Sequence, residues 1–310
     1  MPSFLRRLSL ALSNPAKIPA KKRASVAVIL RVVGEPVEAF SNDSAYFFSS
    51  AASLAPLDRI EMLFIQRSER EGDKWSGHIA FPGGKRDVCD ADDAATAARE
   101  SMEEVGVDVT DLLLVGALHD RLVLAGGKAL PDAALAVYVY VAPRPFMPTF
   151  ILEAAEVRHA WWVSLSSLNV SAVDMGGIVR PALRSILGAT RASSIPRWAG
   201  LHEAKFPSIR LLGSPPNAPP LWGMTLTAAS DVLEAAGETH LAWPPVRMSW
   251  PWQGFVLAGC GVAEILQVGR GHRKLNKVTM THMVALGGVL MGFVGGIAVI
   301  SKQLLRWGWQ

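Results

Sequence analysis

The sequence has few of the residues that define several protein classes. Only two cysteines, Cys89 and Cys260, occur in 310 residues, far apart and without the spacing of metal ligands. This excludes a disulfide framework and a zinc knuckle, and we expect two reduced thiols in a reducing compartment. The net charge of +4 is too small to indicate a nucleic-acid partner, because the basic residues are concentrated at both ends of the chain. Half of the residues are hydrophobic, which is enough for a sizeable core.

Acidic residues are absent from the first 34 positions, where serines and basic residues are frequent. This composition is typical of a mitochondrial transit peptide. The run "FLRRLSLAL" also fits a short amphipathic helix that packs on the domain, and "PAKKRASVAVILRVV" then leads into a first β-strand from about Ser25. Residues 1–24 are therefore assigned as a basic N-terminal segment, with both interpretations open.

Residues 25–240 have the pattern of one α/β domain. The run "EMLFIQRS" predicts a central strand, and "DDAATAARESMEEV" at 92–105 predicts a helix that ends at Gly106. Three β-rich runs follow, "LLLVGAL", "ALAVYVYVA" and "HAWWVSL", and "LWGMTLTAASDVLEAAG" predicts a closing helix. This order predicts a mixed sheet with helices packed on it.

The C-terminal part has a different character. Residues 283–301 are nineteen positions without a charge, enough to cross a membrane as a helix. Five glycines make a buried soluble helix the weaker alternative. Basic residues are more frequent before this span than after it, which predicts a single-pass protein with its domain in the cytosol, associated with mitochondria, peroxisomes or the endoplasmic reticulum.

The segments around this span complete the predicted organisation. Residues 241–282 are expected to form a linker rich in Pro and Trp and an interfacial helix, although the apolar part at 254–268 leaves a second span open. Residues 302–310 form a short basic tail with Trp. Glycines at four-residue intervals in the span indicate a possible homodimer or a simple lipid contact. They are Gly288, Gly292 and Gly296.

The predicted helix at 92–105 carries three glutamates on one face. Glu100, Glu103 and Glu104 are related by spacings of three and four residues, so their carboxylates project together. Such a face is either a solvated acidic stripe or a site for divalent cations. Oxygen ligands without His or Cys nearby favour Mg²⁺ or Mn²⁺. Arg99 lies four residues before Glu103 and is placed to fix its carboxylate.

The stretch "GGKRDVCDADDAATAARESMEEVGV" resembles the Nudix box. That pattern is Gly, five residues, Glu, seven residues and then Arg-Glu-U-x-Glu-Glu-x-Gly-U, where U is apolar. Its second half is matched at six positions, although Ser101 occupies an apolar one. They are Arg99, Glu100, Glu103, Glu104, Gly106 and Val107. In the first half, Arg99 comes one residue late relative to Gly84, and an aspartate, Asp90 or a neighbour, replaces the Glu.

The region also resembles the coenzyme A pyrophosphatase branch of the Nudix hydrolases. "LFIQRS" is similar to that branch's Leu-Leu-Thr-x-Arg-Ser, and Gly77 precedes "FPGG" as it does there. Arg70 is displaced from the branch's pattern, and the spacing from Ser68 to Gly77 is one residue longer. The resemblance covers about residues 24–237 and implies an α/β/α sandwich with a mixed sheet.

The resemblance implies a metal-dependent hydrolase with a small-molecule nucleotide substrate. The implied reaction converts coenzyme A or acyl-CoA into 3′,5′-ADP and the (acyl)phosphopantetheine. NADH, ADP-ribose or another nucleotide is the alternative substrate, and a membrane-tethered nucleotide-binding module is the alternative without catalysis. The cofactor would be Mg²⁺ or Mn²⁺.

The same resemblance assigns roles to individual residues. The expected metal ligands are Glu100, Glu103, Glu104 and the Gly84 carbonyl. Glu100 is the expected general base, with Glu153 or Glu156 as alternatives, and Arg99 orients a glutamate. Trp75 stacks on a base or fills the loop's core. The candidate contacts to the substrate phosphates, or alternatively solvated loop residues, are Arg67, Lys85 and Arg86.

Overall fold

The computed structural model of the protein describes residues 3–35, 42–50, 52–73, 75–125, 128–168, 173–181 and 203–238. The chain divides into two compact units, and the first comprises residues 1–123, 130–180 and 204–247. The second comprises 124–129, 181–203 and 248–310, most of which lie outside the described residues. Every residue that the sequence predicts for the site belongs to the first unit.

The described residues form four α-helices and eleven strands, together with four short 3-10 helices. The helices are α1 (Phe4–Ala11), α2 (Ser44–Phe47), α3 (Asp93–Val105) and α4 (Gly223–Ala235). The strands are β1 (Lys22–Val32), β2 (Ile60–Arg67), β3 (Ile79–Ala80), β4 (Gly83–Lys85), β5 (Leu113–Ala117), β6 (Arg121–Ala125), β7 (Lys128–Val141), β8 (Val157–Ser164), β9 (Val173–Pro181), β10 (Glu203–Ile209) and β11 (Leu221–Trp222).

Strand β1 organises the larger sheet, which contains β1 to β8. One edge of β1 pairs with β7 in parallel, from Lys22 opposite Ala133 to Leu30 opposite Val141. Its other edge pairs antiparallel with β4 at its beginning and with β2 at its end. The sheet is therefore mixed, as predicted, and β4 and β2 diverge along the same edge of β1. Strands β9, β10 and β11 form a second sheet.

Alternate residues of β1 belong to the two cores that lie on opposite faces of the larger sheet. Ala27 and Ile29 belong to the cluster that contains the α3 residues Ala97 and Val105. Val28 and Leu30 belong to the cluster that contains α1 and the apolar residues of α4. Successive side chains of a strand point to opposite faces, so helices cover both faces. The predicted mixed sheet between helices is confirmed.

Helix α1 packs on the domain with its apolar face. Ser3 caps it by accepting a hydrogen bond from the Arg6 backbone N–H, and Leu5 and Leu8 are fully buried. Arg7 donates to the Ala236 carbonyl and pairs with Glu238 beyond α4. Of the two interpretations of this segment, the structure shows the amphipathic helix.

Helix α3 occupies the predicted region. Asp92 caps it through a bond from the Ala95 backbone N–H, and Gly106 ends it in the left-handed conformation at φ +70°. The predicted closing helix is α4, whose first two predicted residues form β11 instead.

No helix in the described part of the chain is long and apolar enough to span a membrane. The predicted linker and interfacial helix at 241–282, the span at 283–301 and the tail at 302–310 lie outside the described residues.

Candidate metal and active site

The site is built where α3 lies against β4. The two elements are in direct contact, and Glu104 of α3 is only 1% exposed. Its Oε2 atom accepts a hydrogen bond of 2.9 Å from the Gly83 backbone N–H. Burying a carboxylate is costly without such a partner, so this bond fixes Glu104 to the strand.

The two glycines of "FPGG" allow this close approach. A Cβ atom on Gly83 would lie 2.3 Å from the Ser25 carbonyl oxygen, and one on Gly84 would lie 2.5 Å from the carboxylate atoms of Glu100. At Gly83 a side chain would clash with the backbone of β1, and at Gly84 it would displace the end of the Glu100 side chain. The Gly84 backbone is therefore in contact with a predicted metal ligand.

Arg99 supplies the positive charge between the glutamates. Its Nη1 lies 2.9 Å from Glu103 Oε2, and its Nη2 lies 3.0 Å from Glu100 Oε1. Its Nε and Nη2 also contact both carboxylate oxygens of Asp90 at 3.0 Å. The predicted pairing with Glu103 is present. Asp90 is thus the aspartate of this loop that pairs with Arg99, and its place at the glutamate position of the box stays a prediction.

The protonation of the site reflects burial. Burial raises the pKa of Glu104 to about 7, against the lowering effect of the Gly83 N–H and of Arg67. Burial also raises the pKa of Glu100, although Arg99 acts in the opposite direction. The Arg99 hydrogen bonds hold the pKa of Asp90 well below its usual range. Buried carboxylates that repel one another in this way are typical of sites that bind cations.

The carboxylates that come together are Glu100, Glu104 and Glu156. One carboxylate oxygen of each lies within 4.8 Å of the others. Glu156 reaches α3 because the loop before β8 is attached to the end of that helix, where the Glu153 backbone N–H donates to the Glu104 carbonyl. Glu103 differs: its side chain is 57% exposed and pairs with Arg99.

Sequence reasoning named Glu156 only as an alternative base. Its approach to α3 depends on a loop, which has no spacing pattern that could identify it.

The predicted phosphate contacts lie in different surroundings. Arg67 Nη2 pairs with Asp73 at 3.2 Å, and its Nη1 is 3.8 Å from Glu104 Oε1. Lys85 is exposed and its carbonyl accepts a bond from Arg99. Arg86 donates to the Ala91 carbonyl within the loop before α3. Of the three side chains, that of Arg67 contacts the carboxylate cluster.

Trp75 is an exposed residue of the loop between β2 and β3. It is 45% exposed, and its backbone N–H donates to Asp73 Oδ1 at 2.9 Å. Asp73 therefore joins this loop to Arg67. The indole does not fill the loop's core, which leaves the stacking interpretation as a prediction.

Residues 48–181 match the family described as the NUDIX domain. The match covers β2, the glycines of β4 and the whole of α3. This match supports the predicted resemblance of this region to the Nudix domain and the prediction of a Nudix diphosphatase.

Curated relatives share this region. An uncharacterized protein of Schizosaccharomyces pombe is 37% identical over 47% of this chain and 43% of its own length. The peroxisomal coenzyme A diphosphatase ndx-8 of Caenorhabditis elegans is 35% identical over 35% of this chain and 44% of its own. The mitochondrial coenzyme A diphosphatase NUDT8 of Homo sapiens is 39% identical over 23% of this chain and 32% of its own. The chain thus matches less than half the length of each of these relatives.

A comparison with solved structures gives a weaker similarity. An Ap4A hydrolase of C. elegans is 20% identical, with a TM-score of 0.30 over 46% of this chain and 80% of that one. This similarity carries no argument about substrate or mechanism.

Proposed function

We propose that this chain, as the carrier of a Nudix domain, is a metal-dependent hydrolase of a nucleotide substrate that contains a diphosphate linkage. The observation that supports the proposal most directly is the meeting of Glu100, Glu104 and Glu156 beside the Gly84 backbone. Three carboxylates this close repel one another unless a cation lies between them. A stripe of solvated acids would not place Glu104 at 1% exposure.

The residues present fit Mg²⁺ or Mn²⁺. The donors are carboxylate oxygens, together with the proposed Gly84 carbonyl, and they form the all-oxygen set that these ions prefer. The proposed ligands are Glu100, Glu104, Glu103 and Gly84, and the structure adds Glu156 as a candidate. When bound, the cation would neutralise charge on the diphosphate and acidify water.

Side chains of the protein supply the proposed general base and orient it. Glu100 is the proposed general base, because burial raises the pKa of its carboxyl and so makes the carboxylate a stronger base. Arg99 Nη2 lies 3.0 Å from Oε1 of Glu100 and so orients this carboxylate. Glu156, in the same cluster, is the alternative base. Arg99 acts by orienting Glu100, and Glu103 acts through its ion pair with Arg99.

The proposed substrate is coenzyme A or acyl-CoA, with cleavage to 3′,5′-ADP and (acyl)phosphopantetheine. The support is the resemblance of "LFIQRS" and "FPGG" to the coenzyme A branch, together with the names of the nematode and human relatives. NADH, ADP-ribose or another nucleotide is the alternative substrate. Arg67 is the favoured phosphate contact, because it lies at the carboxylate cluster, while Lys85 and Arg86 are proposed at the rim of the site.

The test uses the purified full chain with a panel of these nucleotides. With Mg²⁺ or Mn²⁺ we expect release of 3′,5′-ADP from coenzyme A, loss of turnover with EDTA and recovery when the ion is restored. Glu104→Gln should lower the rate at least ~100-fold, as the loss of one electrostatic contact in an active site usually does. An unchanged rate in this variant would refute the site. Nucleotide binding by calorimetry without any turnover would favour the binding module.

Membrane attachment remains a proposal from the sequence alone. Residues 283–301 lie outside the described residues, and the apolar run supports a C-terminal anchor with the domain in the cytosol. Association with mitochondria or peroxisomes is consistent with the names of the human and nematode relatives. A reporter fused to residues 240–310 should localise to one of these membranes, and a diffuse signal would contradict the anchor. A homodimer through the span's glycines would be tested by crosslinking in the membrane.

A further inference from the structure

We propose that Arg70 is a positioning residue that holds the Glu156 carboxylate at the cluster formed with Glu100 and Glu104. The inference rests on the proposed function, because it concerns the metal site of that function. Neither the Nudix box nor α3 contains Arg70 or Glu156. The two residues belong to the loop after β2 and to the loop before β8.

Arg70 contacts the second loop at two points. Its Nη2 lies 2.9 Å from Glu156 Oε1, and its Nε donates to the Ala155 carbonyl at 2.6 Å. The Arg70 backbone N–H donates to Ser76 Oγ at 2.7 Å, which fixes the residue within its own loop. The Ala155 carbonyl thus orients the guanidinium, which contacts Oε1 of Glu156, while the Ser76 hydroxyl holds the backbone of Arg70.

Ser68 ties the same two loops together at the backbone. Its N–H donates to the Glu156 carbonyl, and its Oγ donates to the Ala154 carbonyl, both at 2.8 Å. These bonds place the backbone of Glu156 but do not orient its side chain. Within this connection, Arg70 is the residue whose side chain bonds to the carboxylate.

The Glu156 carboxylate needs such a partner. It interacts unfavourably with Glu100 and Glu104, and its side chain is 39% exposed, so rotation into solvent is open to it. Arg70 opposes that rotation by binding Oε1 at 2.9 Å. Residues that orient ligands in this way typically change metal affinity by about 10- to 100-fold when they are mutated.

A second ion pair provides a matched control. Arg158 Nη1, at the start of β8, lies 3.7 Å from Glu69 Oε1 in the loop after β2. The two side chains are 57% and 77% exposed. This pair spans the same two segments beside Arg70 and Glu156, and its partner is not a member of the cluster.

The experiment measures Mn²⁺ affinity of the metal-free full chain by calorimetry, together with its melting temperature without metal. We expect Arg70→Gln to weaken Mn²⁺ binding by about 10-fold, and Arg158→Gln to change it less than about twofold. Arg70→Lys should recover part of the loss, because it keeps the charge but not the guanidinium geometry. The double variant Arg70→Gln with Glu156→Gln should bind no more weakly than Glu156→Gln alone.

Unchanged or tighter Mn²⁺ binding in Arg70→Gln would overturn the proposal. So would equal losses in Arg70→Gln and Arg158→Gln, or additive losses in the double variant, because both would indicate a general effect on the loops. A melting temperature that falls in parallel with affinity would assign Arg70 a purely structural role. The variant Glu104→Gln distinguishes a failure of the proposed function from a failure of this inference. If it binds Mn²⁺ as the wild type does, the proposed function fails, and if it loses binding while Arg70→Gln does not, only this inference fails.

Discussion

Substitution of the neighbouring glycines Gly83 and Gly84 should separate folding from function. A Cβ on Gly84 would lie 2.5 Å from Cδ, Oε1 and Oε2 of Glu100, where an ordinary contact is 3.4–4 Å. The carboxylate must therefore move by roughly 1 Å, and a displacement of this size in an active site costs about 100-fold in rate. Because only the end of a flexible side chain has to move, the fold should tolerate Gly84→Ala.

Gly83→Ala should behave in the opposite way. Its Cβ would meet the Ser25 carbonyl oxygen at 2.3 Å and Val26 Cα at 2.6 Å. The backbone φ of Gly83 is +153°, a conformation that residues with a side chain rarely adopt. Backbone atoms of β1 cannot move aside as a side chain can, so the added carbon should destabilise the domain by about 1–3 kcal/mol or more.

The assay compares urea unfolding, Mn²⁺ affinity and turnover for the two variants. We expect Gly84→Ala to keep the wild-type urea midpoint within error while turnover falls about 100-fold and Mn²⁺ binding weakens. We expect Gly83→Ala to lower the midpoint. Wild-type turnover and metal affinity in Gly84→Ala would show that the Glu100 carboxylate is not confined against β4, which would remove the geometric basis of the site.

Two further substitutions probe the Arg99 network. Glu103→Gln should lower turnover less than Glu104→Gln does, because Glu103 is exposed and pairs with Arg99. An equal or larger loss of turnover would show that Glu103 contributes to the metal site as much as Glu104 does. Asp90→Asn should lower the urea midpoint at pH 7. Since Arg99 holds the pKa of Asp90 below its ordinary value of about 3.9, this pair stabilises the fold above that pH and loses the effect as the pH falls through the folded pKa. The difference in urea midpoint between Asp90→Asn and the wild type should therefore be smaller at pH 3 than at pH 7. A difference that does not change with pH would contradict the stabilising role of the Arg99–Asp90 pair.

The fold could be predicted to the extent that its signals are local. The limits of α3 follow from the capping aspartate Asp92 and from Gly106, which adopts a conformation that favours glycine. The short strands β3, β4 and β11 have two or three residues each, too few for a period to be visible. The parallel pairing of β1 with β7 is a contact between distant segments, and no local pattern contains it.

The site could likewise be predicted only where its residues are close in sequence. Arg99, Glu100 and Glu104 share one helix, so their proximity follows from their spacing. The replacement of the box glutamate by Asp90 could not be assessed from spacing, because the box has one extra residue before Arg99. In the structure Asp90 is still reached by two guanidinium nitrogens at 3.0 Å, and it also accepts a bond from Thr96 at 2.9 Å. The loop before α3 therefore accommodates both the shorter acidic side chain and the extra residue.

The cluster is a property of the whole domain, because a different donor holds each of its carboxylates. Arg99 of α3 holds Glu100, the Gly83 N–H of β4 holds Glu104, and Arg70 after β2 holds Glu156. These donors come from α3, β4 and the loop after β2, so three different elements oppose the mutual repulsion of the carboxylates. An ion entering such a site gains the attraction of all three groups without first having to assemble them.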